Sequence, residues 1–208
     1  MIGDEAEVRA FVGLGGNLGD RLATLRSAVE VLARDLPGTQ LRAMSSIYET
    51  RPVGPSRRAF FNAVVELRTR STPLALLELL LAIEQQHGRE RRRKWDARTL
   101  DLDLLLVQRA DETRWTGVEI ESEQLRLPHP RMIERDFVLV PLVELTGASM
   151  LLGDRTLGEW LARLNTDEKT VLRRLDEGLL DDRAEGGAQD DTSMLGSALQ
   201  RKTNPEGG

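Results

Sequence analysis

The chain of 208 residues contains no cysteine and only two histidines. Without cysteine there can be no disulfide and no thiolate metal site, and two histidines are too few for a histidine-rich zinc centre. Long hydrophobic runs are missing as well, because the apolar residues 74–83 are interrupted by Glu78 and are too few to span a bilayer. The acidic first residues do not resemble a signal peptide, so we expect a cytoplasmic protein that does not enter a membrane.

Positive charge does not dominate either, since 29 Lys and Arg stand against 34 Asp and Glu, for a net charge of −5. No long basic stripe is present, which argues against nucleic-acid binding and favours small anionic ligands. The phosphate-binding pattern Gly-x-x-x-x-Gly-Lys-Ser/Thr is absent, and residues 13–18 lack the third glycine of a dinucleotide-binding turn. The sequence therefore excludes a P-loop enzyme and makes a Rossmann domain a weak interpretation.

The pattern Asp-Leu-Asp at residues 101–103 is the feature around which the rest is organised. Apolar and acidic residues alternate strictly here, which places Asp101 and Asp103 on the same face of a strand. The strand continues through residues 104–107, which are all apolar. Two adjacent carboxylates repel each other, and their hard oxygens suit Mg²⁺. The alternative is an exposed strand face that carries two acids by chance.

A cluster of cations precedes these aspartates, with six Lys or Arg among residues 89–98. One arginine guanidinium can bind two oxygens of a phosphate at once. Enzymes of phosphoryl transfer typically combine such arginines with carboxylates that hold a metal ion. A solvated charged surface is the alternative interpretation of the same run.

The order of the predicted elements indicates an α+β fold. Strands are expected at residues 8–14, 41–48, 60–67 and 98–107, and helices at 20–35 and 72–88. This strand–helix–strand–strand–helix–strand order is that of a ferredoxin-like split βαβ core, an antiparallel sheet with helices packed on it, and a C-terminal extension follows. From residue 176 Gly, Asp, Glu and Ser dominate, so we predict one domain over 1–175 and a disordered tail over 176–208.

Several segments together resemble 6-hydroxymethyl-7,8-dihydropterin pyrophosphokinase. These are Gly-Leu-Gly-Gly-Asn-Leu-Gly-Asp at 13–20, Ser-Ser-Ile-Tyr-Glu-Thr at 45–50, Phe-Asn-Ala-Val at 61–64, Arg-Thr-Leu-Asp-Leu-Asp-Leu-Leu at 98–105 and Leu-Pro-His-Pro-Arg-Met at 127–132. The resemblance implies a ferredoxin-like enzyme of folate biosynthesis. It implies transfer of the β,γ-diphosphate of ATP to the hydroxymethyl group of a dihydropterin, with release of AMP.

The resemblance also implies a role for each matching residue. Asp101 and Asp103 would bind two Mg²⁺ ions that bridge the triphosphate of the co-substrate ATP and the pterin hydroxyl. The phosphates would be held by Arg89, Arg91, Arg98, His129 and Arg135, with Trp95 beside them, and Arg89 and Arg91 would act in catalysis. The pterin ring would stack between Phe60 and Phe137, hydrogen-bond to Asn62 and meet the backbone around Thr50 and Val53.

Other interpretations remain open for these residues. Phe60 and Phe137 could be ordinary core, Asn62 could cap the start of its strand, and Glu84 could either help to set the metal site or cap its helix face. The chain departs from the family pattern at Asp96, where glycine is usual, and at Arg51, where a smaller or apolar residue is common. Besides the pyrophosphokinase we consider a related Mg-dependent phosphotransferase with another acceptor, and a non-catalytic pterin- or nucleotide-binding module. The tail could contact a folate-pathway enzyme.

Overall fold

The computed structural model describes residues 6–34, 36, 38–53, 58–88, 99–110, 115–165, 167 and 169–180. The helices are α1 (Arg21–Arg34), α2 (Pro73–Gln86), α3 (Asp136–Thr146) and α4 (Leu157–Arg163), with a 3-10 turn at Met132–Glu134. The strands are β1 (Val8–Gly16), β2 (Thr39–Met44), β3 (Tyr48–Thr50), β4 (Phe60–Thr69), β5 (Asp101–Ala110), β6 (Trp115–Gly117), β7 (Ile120–Glu121), β8 (Arg126–Leu127), β9 (Leu151–Leu152), β10 (Arg155–Thr156) and β11 (Val171–Arg174). Among the described residues, no helix has both the length and the apolar composition needed to cross a membrane.

Strand β1 lies at the centre of a seven-stranded sheet and pairs antiparallel with β4 on one edge and β5 on the other. The strand order is β11-β3-β4-β1-β5-β6, and β2 pairs with the far end of β4. Helices α1 and α2 both contribute to the core on one face of this sheet. The arrangement confirms the predicted α+β fold with a ferredoxin-like core.

Local sequence explains where the two principal helices begin. The Asp20 carboxylate accepts a hydrogen bond from the Ala23 backbone N–H at 3.0 Å, and the Thr72 hydroxyl accepts one from Ala75 at 3.2 Å. Side chains of this kind satisfy N–H groups that have no partner within the helix. Pro73 follows Thr72 at the first helical position, where its missing N–H costs nothing.

The sheet separates two hydrophobic cores. One lies under α1 and α2 and includes Leu102 and Leu104 of β5; the other lies under α3 and includes Phe11, Val64 and Leu105. Since side chains alternate along a strand, the second face is also the one toward which Asp101 and Asp103 point. The C-terminal extension thus covers the face that the two ferredoxin-like helices leave open.

The strand predicted over residues 41–48 is divided into β2 and β3. At the division, the Ser45 backbone N–H donates to the Val64 carbonyl and the Ser45 hydroxyl accepts from the Val64 N–H, both at 2.9 Å. A serine side chain therefore replaces a backbone group in the ladder, and the prediction of one continuous strand was wrong at this point.

The tail that the sequence predicts to be disordered begins at residue 176, and its first five residues lie in the described part of the chain. Leu179 belongs to the core under α1 and α2 and is 3% exposed, and the Arg26 guanidinium donates to the Gly178 carbonyl at 3.0 Å. The local composition is polar, but one leucine at a packing position outweighs it. Residues 181–208 lie outside the described residues.

Leu179→Ala is expected to lower the free energy of unfolding by about 2–4 kcal/mol, because buried methyl groups are lost and a cavity remains. Leu180→Ala is the matched control, since Leu180 is 47% exposed, and its cost should stay within about 0.5 kcal/mol. Urea denaturation of the full chain measures both values. Equal and small losses would mean that residues 176–180 do not pack on the core.

Candidate active site

A cleft opens on the face of the sheet that α3 partly covers. Its floor comes from alternate residues of three adjacent strands, Gly13 and Gly15 of β1, Phe60, Asn62 and Val64 of β4, and Asp101, Asp103 and Leu105 of β5. Its walls come from Thr50, Arg51 and Val53 on one side and from Arg135, Phe137 and Val138 at the start of α3. The period-two alternation of strands therefore builds most of this surface.

Register across the three strands sets the layout of the floor. Gly15 of β1 pairs with Asn62 of β4 and, on its other edge, with Asp101 of β5. Adjacent strands are about 4.8 Å apart, so the backbones that carry the amide and the carboxylate are separated by roughly 10 Å. Glycine between them leaves this span uncovered by any side chain.

The missing side chain at Gly15 is required by its neighbour. A Cβ atom built there would lie 2.9 Å from Asn62 Oδ1, closer than two such atoms normally approach. The Asn62 amide is held in place because its Nδ2 donates to the Thr50 hydroxyl at 2.8 Å. Asn62 and Thr50 are 7% and 1% exposed, so the amide forms a buried, oriented polar group in the floor of the cleft.

The acidic end of the cleft is balanced by an arginine. Arg135 Nη1 lies 3.6 Å from Asp103 Oδ2, and the same guanidinium lies 5.5 Å from the centre of the Phe137 ring. The side chains of Asp103 and Arg135 are 36% and 19% exposed, so both can reach a ligand in the cleft. Arg135 thus stands between the carboxylates and the aromatic wall.

Glu84 of α2 supports the acidic strand from the opposite face of the sheet. Its Oε1 accepts a hydrogen bond from the Leu102 backbone N–H at 2.7 Å, and the side chain is almost completely buried. Leu102 is the residue between the two aspartates. Glu84 therefore fixes the backbone from which Asp101 and Asp103 project.

His129 interacts electrostatically with Asp103 and Arg135, and its backbone N–H donates to the carbonyl of Leu105, a residue of the cleft floor, at 2.6 Å. Burial lowers the pKa of His129, the charges of Arg135 and Arg131 lower it further, and Asp103 opposes them. Nδ1 accepts a hydrogen bond from the Arg131 N–H at 3.2 Å. In the neutral ring the proton is then on Nε2, which can donate to an anion.

With this geometry in place, comparison with known proteins identifies the family. Residues 11–147 match the model of 7,8-dihydro-6-hydroxymethylpterin-pyrophosphokinase (HPPK). The chain belongs to the HPPK family. The matched segment contains the whole cleft floor and the start of α3.

Relatives named 2-amino-4-hydroxy-6-hydroxymethyldihydropteridine pyrophosphokinase support this membership. The Bacillus subtilis protein is 47% identical over 137 residues, which are 65% of this chain and 77% of the relative. The Methylorubrum extorquens protein is 42% identical over 76% of this chain and 94% of its own length, and the Haemophilus influenzae protein 36% identical over 79% and 97%.

Solved HPPK-DHPS structures share the fold at low sequence identity. A Plasmodium falciparum HPPK-DHPS aligns with a TM-score of 0.56 and 13% identity, and an HPPK-DHPS in complex with substrates with 0.55 and 14%. The alignments cover 78% and 76% of this chain, but this chain spans only 46% and 43% of those longer chains.

Most residues predicted from the HPPK resemblance surround the single cleft described above. Its lining includes Thr50, Val53, Phe60, Asn62, Asp101, Asp103, Arg135 and Phe137, and His129 lies next to it. Arg89, Arg91, Trp95 and Arg98 lie outside the described residues, as does the departure at Asp96. The binding roles of all these residues stay predictions.

Sequence reasoning missed three residues that shape the cleft. It gave no structural role to Gly15, and it did not single out Asp136 or Thr170, whose contacts join distant parts of the chain. An acidic residue in the first turn of a helix was the only local signal at Asp136. Thr170 carries no signal of its own, because its partner is 34 positions away.

NMR titration should show that His129 has a pKa below its ordinary 6.5. Asp103→Asn should lower this pKa further, because the carboxylate favours the protonated ring, and Arg131→Gln should raise it. The folded state holds this proton less tightly than the unfolded state. The contribution of His129 to stability is therefore present above pH 6.5 and is lost as the pH falls through the folded value. An upward shift in Asp103→Asn would contradict this arrangement.

Proposed function

We propose that this chain transfers the β,γ-diphosphate of ATP to the hydroxymethyl group of 6-hydroxymethyl-7,8-dihydropterin, giving AMP, in folate biosynthesis. HPPK family membership supports the reaction class. The observation that carries the proposal is the row Asn62–Gly15–Asp101, which sets an amide and a carboxylate at two ends of an uncovered floor. A flat heterocycle lying on that floor would present one ring edge to the Asn62 amide and its hydroxymethyl group to the carboxylates at the other end.

The acceptor end has the chemistry that a pterin needs. Phe60 and Phe137 both line the cleft and offer flat apolar surfaces for stacking. The Asn62 side chain can both donate and accept hydrogen bonds, which matches a ring edge that carries donors and acceptors. Because Thr50 fixes its Nδ2, the Asn62 carbonyl oxygen is available toward Gly15 for a donor on the ring.

The acidic end fits Mg²⁺. Asp101 and Asp103 supply hard oxygen donors on one face of β5, and both line the cleft. No group of three or more potential ligands from His, Cys, Asp or Glu occurs in the part of the chain that the structure describes. Mg²⁺ often takes one or two carboxylates and completes its shell with water and substrate phosphates, so two aspartates suffice. We infer two ions, as the family resemblance implies.

The chain's own residues would prepare an in-line displacement. The acceptor hydroxyl oxygen forms a bond to the β-phosphorus, the bond from that phosphorus to the oxygen shared with the α-phosphate breaks, and AMP leaves with that electron pair. The hydroxyl releases its proton to solvent, which balances the step. Bound Mg²⁺ would neutralise charge on the phosphates.

Arg135 and His129 would hold the phosphates near the acceptor. The Arg135 guanidinium is already oriented by Asp103, and the Nε2–H of neutral His129 can donate to a phosphate oxygen. Arg89, Arg91, Arg98 and Trp95 would complete the phosphate site according to the resemblance. The cytoplasmic location and a contact of the tail with another folate-pathway enzyme stay predictions.

Incubation with ATP and Mg²⁺, with and without 6-hydroxymethyl-7,8-dihydropterin, tests the proposed function. We expect AMP only when the pterin is present, and no ADP. Asp103→Asn should lower kcat on the order of a hundred- to a thousandfold, because a metal ligand loses its charge. Asp154→Asn is the matched control, since the Asp154 side chain is 76% exposed, and it should keep wild-type activity.

The alternatives give other results in the same assay. AMP formation with another acceptor, but none with the pterin, would indicate a related phosphotransferase. Tight binding of pterin or nucleotide without any AMP would indicate a binding module. Full activity of Asp103→Asn at saturating Mg²⁺ would contradict the metal assignment.

Gly15→Ala should raise the KM for the pterin by about ten- to a hundredfold, because the new methyl group displaces the Asn62 amide. The KM for ATP should change little. Gly117→Ala is the control, since a Cβ atom there would contact nothing within 4 Å. Steady-state kinetics with each substrate varied in turn measure the effect, and an unchanged pterin KM would show that Asn62 does not read the ring.

A further inference from the structure

The C-terminal strand β11 lies beside the cleft although it follows the part of the chain that matches the HPPK model. That match ends at residue 147, whereas β11 spans Val171–Arg174 and pairs antiparallel with β3. Val171 stands opposite Thr50, the cleft residue that holds the Asn62 amide. The strand therefore forms the outer neighbour of one cleft wall.

The residue that precedes this strand is bound to the opposite wall. Asp136, the first residue of α3, accepts hydrogen bonds from the Thr170 hydroxyl at 2.6 Å, the Thr170 N–H at 2.5 Å and the Val171 N–H at 2.8 Å. Asp136 is 2% exposed and Thr170 9%. A buried carboxylate is tolerated when several donors satisfy it in this way.

Asp136 stands between two residues of the cleft, Arg135 and Phe137. Thr170 also contacts the other wall, because its carbonyl accepts a hydrogen bond from the Arg51 N–H at 2.8 Å, and the Arg51 side chain donates to the carbonyl of Lys169. Thr170 thus connects the segment after β3 with the start of α3. Val53 on one wall and Phe137 on the other line the cleft between them.

We propose that Thr170 and Asp136 are positioning residues that set the separation of the two walls of the cleft and so its affinity for the flat acceptor. This inference rests on the proposed function. The rest of the site depends on them less directly: the floor is fixed by β1, β4 and β5, the acidic strand by Glu84, and the Arg135 guanidinium by its ion pair with Asp103. Loosening the connection should therefore weaken acceptor binding more than nucleotide binding.

Thr170→Val removes the hydroxyl but keeps the volume, the β-branched shape and both backbone hydrogen bonds. Since a hydrogen bond to a charged group is lost, we expect the pterin KM to rise about tenfold while the ATP KM changes by less than about twofold. Thr170→Ser keeps a hydroxyl and should restore the wild-type pterin KM. Thr39→Val is the matched control, because the Thr39 hydroxyl is similarly buried and bonds to Thr69 at the other end of β4.

Asp136→Asn provides a second variant that retains the shape of the side chain, and it should shift the pterin KM in the same direction. Thermal unfolding confirms that each variant is folded under the assay conditions. An unchanged pterin KM in Thr170→Val, with pterin-dependent AMP from the wild type, would overturn the positioning role and leave the proposed function intact. Equal increases in both KM values, or an equal effect of Thr39→Val, would also overturn it. A wild type that forms no AMP with the pterin would overturn the proposed function and this inference with it.

Discussion

The pairing of β1 with β4 on one edge and β5 on the other is the constraint on which the remaining structure depends. It fixes which side chains face α1 and α2 and which face α3. A slip of one residue in the β1–β5 ladder would exchange the two faces of β5 and turn Asp101 and Asp103 toward the hydrophobic core under α1 and α2. Register is therefore a condition both for stability and for the cleft, and the two cannot be varied independently.

Acidic and basic side chains lie close together at one end of the cleft. Asp101 and Asp103 share one face of a strand, Arg135 approaches Asp103, and His129, whose pKa is lowered by burial, interacts electrostatically with the same carboxylate. Folding alone does not favour two neighbouring carboxylates, because their repulsion is relieved only by cations. A local cost in stability is common at functional sites, and the well-filled cores on both faces of the sheet compensate for it.

The central elements could be predicted from the sequence because their signals are local. Three of these signals depend only on neighbouring residues. They are the alternation of polar and apolar residues around Leu102 and Leu104, the helix start at Thr72, and the glycine-rich turn after β1. The family resemblance then indicated most of the residues that line the cleft. Three other features have no local pattern in the sequence, because each depends on partners far along the chain. They are the division of the strand at Ser45, the packing of Leu179, and the hydrogen bond between Asp136 and Thr170.

The glycine floor has a consequence for inhibitor resistance. A competitive inhibitor that rests on Gly15 and bonds to Asn62 would touch positions where the enzyme has little freedom to change, because any side chain added at Gly15 collides with the amide. An inhibitor that gains affinity from Val53, which is 44% exposed, would meet a residue that can be replaced at little structural cost. Compounds confined to the floor should therefore select resistant variants less readily than compounds that extend over the outer wall.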